Sequence, residues 1–195
     1  SRIESITETK KVTDAMYMIS SVKMRRAKRE VEKTAPYFDT LKKEISELFR
    51  YIPSTDNRYF RARKVKNGEH LRHGILLVTA DKGLAGAYNH TAIKVAEEYM
   101  SRHPETMLFI VGEYGRRYFA QKKIAFEKDF TYSAELPNIW EAGKICAEML
   151  EYYDNGTLDE INIIYTDYKG GKPCECKRNC LLPLERSRFG GTERE

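Results

Sequence analysis

The sequence has no long hydrophobic run. Nowhere does it approach the ~20 uninterrupted apolar residues that a membrane helix needs. With 41% hydrophobic, 11% aromatic and 32% charged residues, the composition excludes an integral membrane protein and is too apolar for a disordered chain. The first residues, SRIESITETKK, lack the apolar core of a secretory signal. Cysteine is sparse, four in 195 residues. Without a secretory signal, these read as free thiols or metal ligands in a reducing interior rather than as disulfides. His70, His73, His90 and His103 fall in connectors or on helix surfaces and form no ligand spacing. There is no nucleophile elbow, no HExxH and no carboxylate pair, so no catalytic constellation of an enzyme acting alone is visible. Charge of neither sign dominates: 34 Lys and Arg against 29 Asp and Glu leave a net +5. That mild bias is compatible with anionic partners without demanding one.

What is present begins with a helix. Ile3 to Ile52 contains one proline, no glycine and many Lys, Glu, Arg, Ala and Met residues, all good helix formers. Apolar positions recur at three- and four-residue steps through Val12, Met16, Ile19 and Val22, then Ala27, Val31 and Ala35. Phe38, Leu41, Ile45, Leu48 and Ile52 keep a strict 3-4-3-4 rhythm, the seam of a coiled coil. Pro36 removes an interior hydrogen bond and is expected to kink the rod. At ~1.5 Å per residue the rod would run about 75 Å. Such an exposed seam requires a partner.

From Pro53 to His73 turn formers and basic residues make a polar connector. An α/β region follows. Ile75–Thr79 and Met107–Val111 read as buried strands, and Leu84–Met100, Tyr114–Gln121 and Ile139–Tyr153 as helices. Leu84, Tyr88, Ile93, Val95 and Ala96 are the candidate inward residues of the first of these. Phe126–Tyr132 reads as an edge strand. Leu158–Tyr168 alternates Ile161, Ile163 and Tyr165 against polar neighbours, and Cys174–Leu184 after the Gly170-Gly171 turn is a last strand. The fold class is therefore α/β: a long N-terminal coiled-coil helix followed by a Rossmann-like, mainly parallel sheet domain. The expected organisation is helix 1–53, connector 54–73, sheet domain 74–186 and tail 187–195.

Three motifs carry chemistry. Thr79-Ala-Asp-Lys-Gly-Leu-Ala-Gly-Ala-Tyr-Asn89 lies where a strand gives way to a helix, the usual ligand position of open α/β sheets. Gly83 and Gly86 could admit an anion at a helix N-terminus, but Gly-x-x-Gly is neither a dinucleotide fingerprint nor a Walker loop. A tight turn with an exposed tip for a protein partner fits better. Lys23, Arg25, Arg26, Lys28 and Arg29 cluster on the first helix. They read as a solvated face, a contact for acidic loops, or a phosphate-binding patch. Cys174, Cys176 and Cys180 would share one face of a strand. They are weak candidates for a metal, which needs a fourth ligand.

Two of these stretches carry a resemblance. Arg2-Ile3-Glu-Ser5-Ile6, Val12-Thr13-Asp-Ala15-Met16 and Ser21-Val-Lys23-Met24-Arg25-Arg26-Ala27 resemble the R-I-x-S-I, K-I-T-x-A-M and S-K-x-R-x-A stretches of the F-type ATP synthase gamma subunit. Asp81-Lys82-Gly83-Leu84-Ala85-Gly86-Ala87-Tyr88-Asn89 resembles its S-D-R-G-L-C-G-G-x-N signature, with Ala85 in place of the cysteine, and Leu181-Leu-Pro-Leu184 its L-L-P-L. The resemblance runs over nearly the whole chain.

It implies the central rotor of a proton-translocating F1Fo ATP synthase. This subunit would have no catalytic site of its own and would bind no cofactor or metal. ATP, ADP and magnesium would sit on the alpha and beta subunits. It further implies alpha, beta and epsilon subunits and the c-ring as partners. Nucleic acid and direct membrane insertion are not implied, and the location is the cytoplasmic face of a bacterial cell membrane. Lys23, Met24, Arg25 and Arg26, with Asp81, Lys82, Gly83, Leu84 and Gly86, would face the beta subunit. The seam of Phe38, Leu41, Ile45 and Leu48 would pair with the family's C-terminal helix, expected to be missing beyond Leu184. The cysteines precede Leu181, so the family's chloroplast thiol regulation is not implied. Two other classes stay open from the residues alone: a Rossmann-type nucleotide-binding enzyme, and a basic coiled-coil nucleic-acid binder.

Overall fold

A computed structural model describes residues 2–51, 57–60, 70–135, 137–168, 174–185 and 189. Ile52, the Gly170-Gly171 turn, most of the connector and all of the tail but Phe189 lie outside the described residues. Contacts divide the chain into two units, Ser1–Pro53 with Phe189–Glu195, and Ser54–Arg188.

The first unit is built on α1 (Arg2–Tyr51), which continues through Pro36. Its small polar side chains are satisfied by the helix itself. Thr7, Thr13 and Thr34 each donate to the carbonyl four residues earlier, and Thr40 donates to the oxygen of Pro36 at 3.0 Å. Packing contributes little to this helix. Phe38, Leu41 and Leu48 are exposed, Ile45 is half-buried, and Phe49 is the buried residue among those described in α1. Phe49 was not on the expected seam. Its ring lies 5.6 Å from that of Phe189, and the Ser46 hydroxyl donates to the Phe189 carbonyl. One helix position is thus covered from within the chain while Phe38, Leu41 and Leu48 of the seam stay in solvent.

The second unit is a four-stranded sheet, ordered β2-β1-β3-β4. Its strands are β1 (His73–Val78), β2 (Met107–Val111), β3 (Glu160–Asp167) and β4 (Glu175–Leu182). β1 pairs in parallel with β2 and β3, and β4 joins β3 antiparallel. Helices α2 (Tyr88–Arg102), α3 (Glu113–Gln121) and α4 (Ile139–Asp154) follow β1 and β2. Both faces are covered, so strand residues sort by parity. Ile75, Leu77, Leu108, Ile110 and Ile164 pack with Ile93, Ala96 and Tyr99 of α2 and Phe119 of α3. Leu76, Phe109, Val111 and Ile161 pack with Met149 and Tyr153 of α4.

Four expectations change. β1 opens at His73, which had been assigned to the connector; Arg72 grips the carboxylate of Asp159 through two bonds of 2.9 Å and ties the strand starts together. α2 starts at Tyr88, because Leu84 takes a left-handed φ of +59° that no helix accommodates. Leu84 is accordingly exposed rather than inward. Residues 126–132 form no strand: one parallel bridge joins Tyr132 to Val111. The consecutive charges Glu127, Lys128 and Asp129 break the alternation, and Phe130 turns fully inward against Phe109, 5.4 Å between centroids. In β3 the supposed polar face is also buried, at Asn162 and Ile164.

Candidate functional site

The loop from Asp81 to Ala87 is anchored at both ends and exposed at its tip. The end of β1, where Val78 pairs with Val111 of β2, fixes its start. Thr79 donates through its hydroxyl to the Val111 carbonyl at 3.0 Å and accepts from the Gly115 amide at 3.1 Å. A Cβ on Gly112 would stand 2.2 Å from the Thr79 oxygen, and its φ is +95°, so only glycine allows β1 and the β2–α3 turn to cross this closely.

Asp81 points inward. Its carboxylate accepts from the Glu113 amide at 3.0 Å, the Ser133 hydroxyl at 2.7 Å and the Ala134 amide at 3.0 Å. Partial burial pushes its pKa up, but the bonds from Ser133, Glu113, Ala134 and Glu135 outweigh that and leave it below the usual value. At the far end Asn89 is buried. Its side-chain oxygen accepts from the Ala80 amide at 2.8 Å, and its nitrogen donates to the Lys82 carbonyl at 3.3 Å.

Between these clamps Lys82, Gly83, Leu84, Ala85 and Gly86 are exposed. Leu84 is 93% exposed, and both it and Gly86 are left-handed, at +59° and +56°. A leucine held at positive φ costs roughly 1–2 kcal/mol relative to the right-handed region. A rigid frame thus holds an apolar side chain out in solvent at a conformational cost. The sequence marked all five loop residues alike; the structure separates Asp81, the anchor, from Leu84, the tip.

On α1, Arg25, Arg26 and Met24 are exposed. Lys23 and Arg26, three residues apart, share one helix face. Further along, Lys28 meets Glu32 at 3.8 Å and Lys33 meets Glu30 at 3.0 Å.

The cysteines disperse. Cys174 is exposed, while Cys176 packs against the core on the α2 face, where burial raises its thiol pKa. The Cys180 sulfur donates to the Leu182 carbonyl at 3.2 Å. Among the described residues no three His, Cys, Asp or Glu side chains are placed to hold a metal.

Sequence reasoning missed a polar cluster under α2. His73, buried, has its Nδ1 2.8 Å from the Tyr99 hydroxyl, and Tyr99 donates to Glu160 at 3.2 Å. Asn162 and His103 complete the group. A parity reading of β1 extended by two residues would have placed His73 on the Ile75–Leu77 face.

The class these features define is an α/β sheet protein with a long, largely uncovered helical arm. A family model described as ATP synthase matches residues 1–195. ATP synthase gamma chains are similar over nearly all of this chain. That of Caldanaerobacter subterraneus subsp. tengcongensis is 36% identical over 188 residues, 96% of this chain and 63% of its own. That of Acetivibrio thermocellus is 34% identical over 184 residues, 94% and 62%. The chain therefore belongs to the ATP synthase gamma-chain family, and it spans a little over three-fifths of these relatives' length. The fold is also that of a chain in the Tetrahymena thermophila mitochondrial ATP synthase central stalk and c-ring structure. That match has a TM-score of 0.61 at 19% identity, covering 91% of this chain and 74% of the other. Among the described residues no helix is long and apolar enough to cross a membrane.

Proposed function

We propose that this chain is the rotor of a proton-translocating F1Fo ATP synthase, a mechanical subunit that binds no nucleotide itself. ATP, ADP and magnesium are handled by the alpha and beta subunits around it. The observation that carries the reading is α1: fifty residues of helix in a gamma-family chain, with Phe38, Leu41 and Leu48 in solvent. Burying four seam residues in a coiled coil is worth on the order of ten kcal/mol, ample to hold a shaft together.

Rotation needs asymmetry more than affinity. A shaft with one apolar seam and one basic face presents a different surface to each of three surrounding beta subunits. Each surface biases the subunit it meets toward one conformation, and turning the shaft passes the bias on. Lys23, Met24, Arg25 and Arg26 form one beta-facing element. Lys82, Gly83, Leu84 and Gly86 form the other, with Asp81 holding them in place. The epsilon subunit and c-ring bind the sheet unit, and the complex sits at the cytoplasmic face of a bacterial membrane without this chain entering the bilayer.

Expression of the chain with tagged alpha and beta subunits tests the reading. Stoichiometric co-purification through gel filtration is expected. Its absence, together with a saturable thermal shift on adding NAD or ATP to the chain alone, would replace the rotor by a nucleotide-binding enzyme.

A further inference from the structure

The polar cluster beneath α2 joins the start of β1, the end of α2, the start of β3 and the middle of β4. The His73 and His103 rings lie against each other with centroids 4.2 Å apart and planes inclined at 45°, and Tyr99 closes the group, 5.7 Å from His73 and 4.5 Å from His103. The hydrogen bonds run in one direction. The Tyr99 hydroxyl donates to Glu160 and its oxygen accepts from Asn162 at 3.2 Å, while His73 Nδ1 lies 2.8 Å away. Asn162 also donates to Glu160 at 2.6 Å and accepts from Arg178 at 2.9 Å. Arg178 lies over the Tyr99 ring at 4.9 Å.

His103 is the C-cap of α2. Its amide donates to the Tyr99 and Met100 carbonyls, and its own carbonyl accepts from the Thr106 amide and hydroxyl. The ring that lies against His73 therefore belongs to the residue that closes the helix.

Charge decides what this arrangement tolerates. The groups acting on His103 are Glu160 from β3, Arg178 from β4, Arg102 from α2 and His73 from β1. Cys180, on β4, faces the same group through Tyr99. Among the groups acting on His103, one carboxylate thus stands against an imidazole and two guanidiniums. Glu160 lies 3.5 Å from His73 Nδ1 and balances one cationic ring. Among the described groups that act on His103, no second carboxylate stands to match a second cation. We propose that the contacting His73–His103 pair is an acid-sensitive latch, which holds the C-terminal end of α2 to the sheet with at most one proton and releases it when both rings are charged.

Burial, then the neighbouring His73, hold the His103 pKa below its ordinary value, although a helix C-terminus by itself favours a cation. A folded-state value below the unfolded one means that the unfolded or opened chain binds the extra proton. The latch is then fully closed above the ordinary histidine pKa and is lost as the pH falls through it toward the folded value. The latch lies wholly within the sheet unit and does not depend on the rotor reading.

Hydrogen exchange followed by mass spectrometry on the whole chain, corrected for intrinsic exchange, provides the test. Protection of peptides from residues 96–106 should fall several-fold between pH 7.5 and pH 5, while the centre of β1 stays protected. His103→Phe keeps an aromatic ring on His73 and Tyr99 but cannot take a proton, so its protection should not respond to pH. An equal acid response in His103→Phe, or no local response in the wild type, overturns the latch. Should His103→Phe fail to fold, imidazole NMR titration of the wild type decides. A His103 step below the ordinary histidine value is expected, and a His103 step at that value refutes the proposal.

Discussion

Leu84 shows at the level of one side chain how the loop divides anchoring from display. It is nearly fully exposed at a φ of +59°, so neither packing nor local backbone preference explains a leucine there. Glycine would relieve the backbone, since it adopts left-handed angles without the Cβ clash. Leu84→Gly should therefore leave the unfolding free energy unchanged or raise it by up to about 1 kcal/mol, read by urea denaturation. The same variant should bind the alpha–beta complex more weakly than the wild type. A variant that lost stability and kept full binding would return Leu84 to a merely structural role. Asp81, by contrast, acts behind the surface. The signature resemblance marked it as a contact, whereas its carboxylate is occupied by Glu113, Ser133 and Ala134.

Among the elements, the strands were the most legible. Ile75-Leu-Leu-Val78 and Met107-Leu-Phe-Ile-Val111 are uninterrupted apolar runs because both faces of β1 and β2 are covered. The failures have physical causes. Phe126–Tyr132 carries strand-forming aromatics, but Phe130 is used as a core plug beside Phe109 rather than in a ladder. The histidine cluster was invisible because it is assembled by register: His73 pairs with Glu160 across β1 and β3, and the end of α2 supplies Tyr99 and His103. No local spacing encodes a contact between residues so far apart in sequence.

α1 was legible as a helix from composition alone, and its seam from the 3-4 rhythm. The cover of Phe49 by Phe189 was not, because it depends on a residue at the other end of the chain. The seam makes a prediction of its own. Leu41 and Leu48 are 44% and 56% exposed, so replacing both by Gln should change the stability of the chain alone by no more than about 0.5 kcal/mol each. Assembly with alpha and beta subunits should nevertheless fall, as read by the yield of complex in gel filtration. Equal loss in both measurements would mean that the seam is packed within the chain.

For the molecule as a whole, the proposed rotor role raises the question of what would transmit torque once the shaft is held. Apolar burial would hold it, and such burial is indifferent to which of three equivalent partners lies opposite. Charge is not indifferent. Lys23 and Arg26 share a helix face, and an exposed pair with a carboxylate contributes only about 0–1 kcal/mol. Such contacts are too weak to hold an assembly together, yet weak enough to break and re-form at every step. Reversing both, Lys23→Glu with Arg26→Glu, should thus separate two quantities that a purely structural role would move together. The complex should assemble at close to the wild-type yield, because the seam is untouched. Under the proposed rotor reading, ATP-driven proton pumping in membrane vesicles should fall relative to ATP hydrolysis, because the reversed face would repel an acidic partner surface. The ratio of pumping to hydrolysis is the decisive readout. A wild-type ratio in the double variant would leave the basic face as a solvated surface and place the transmission of torque elsewhere on the molecule.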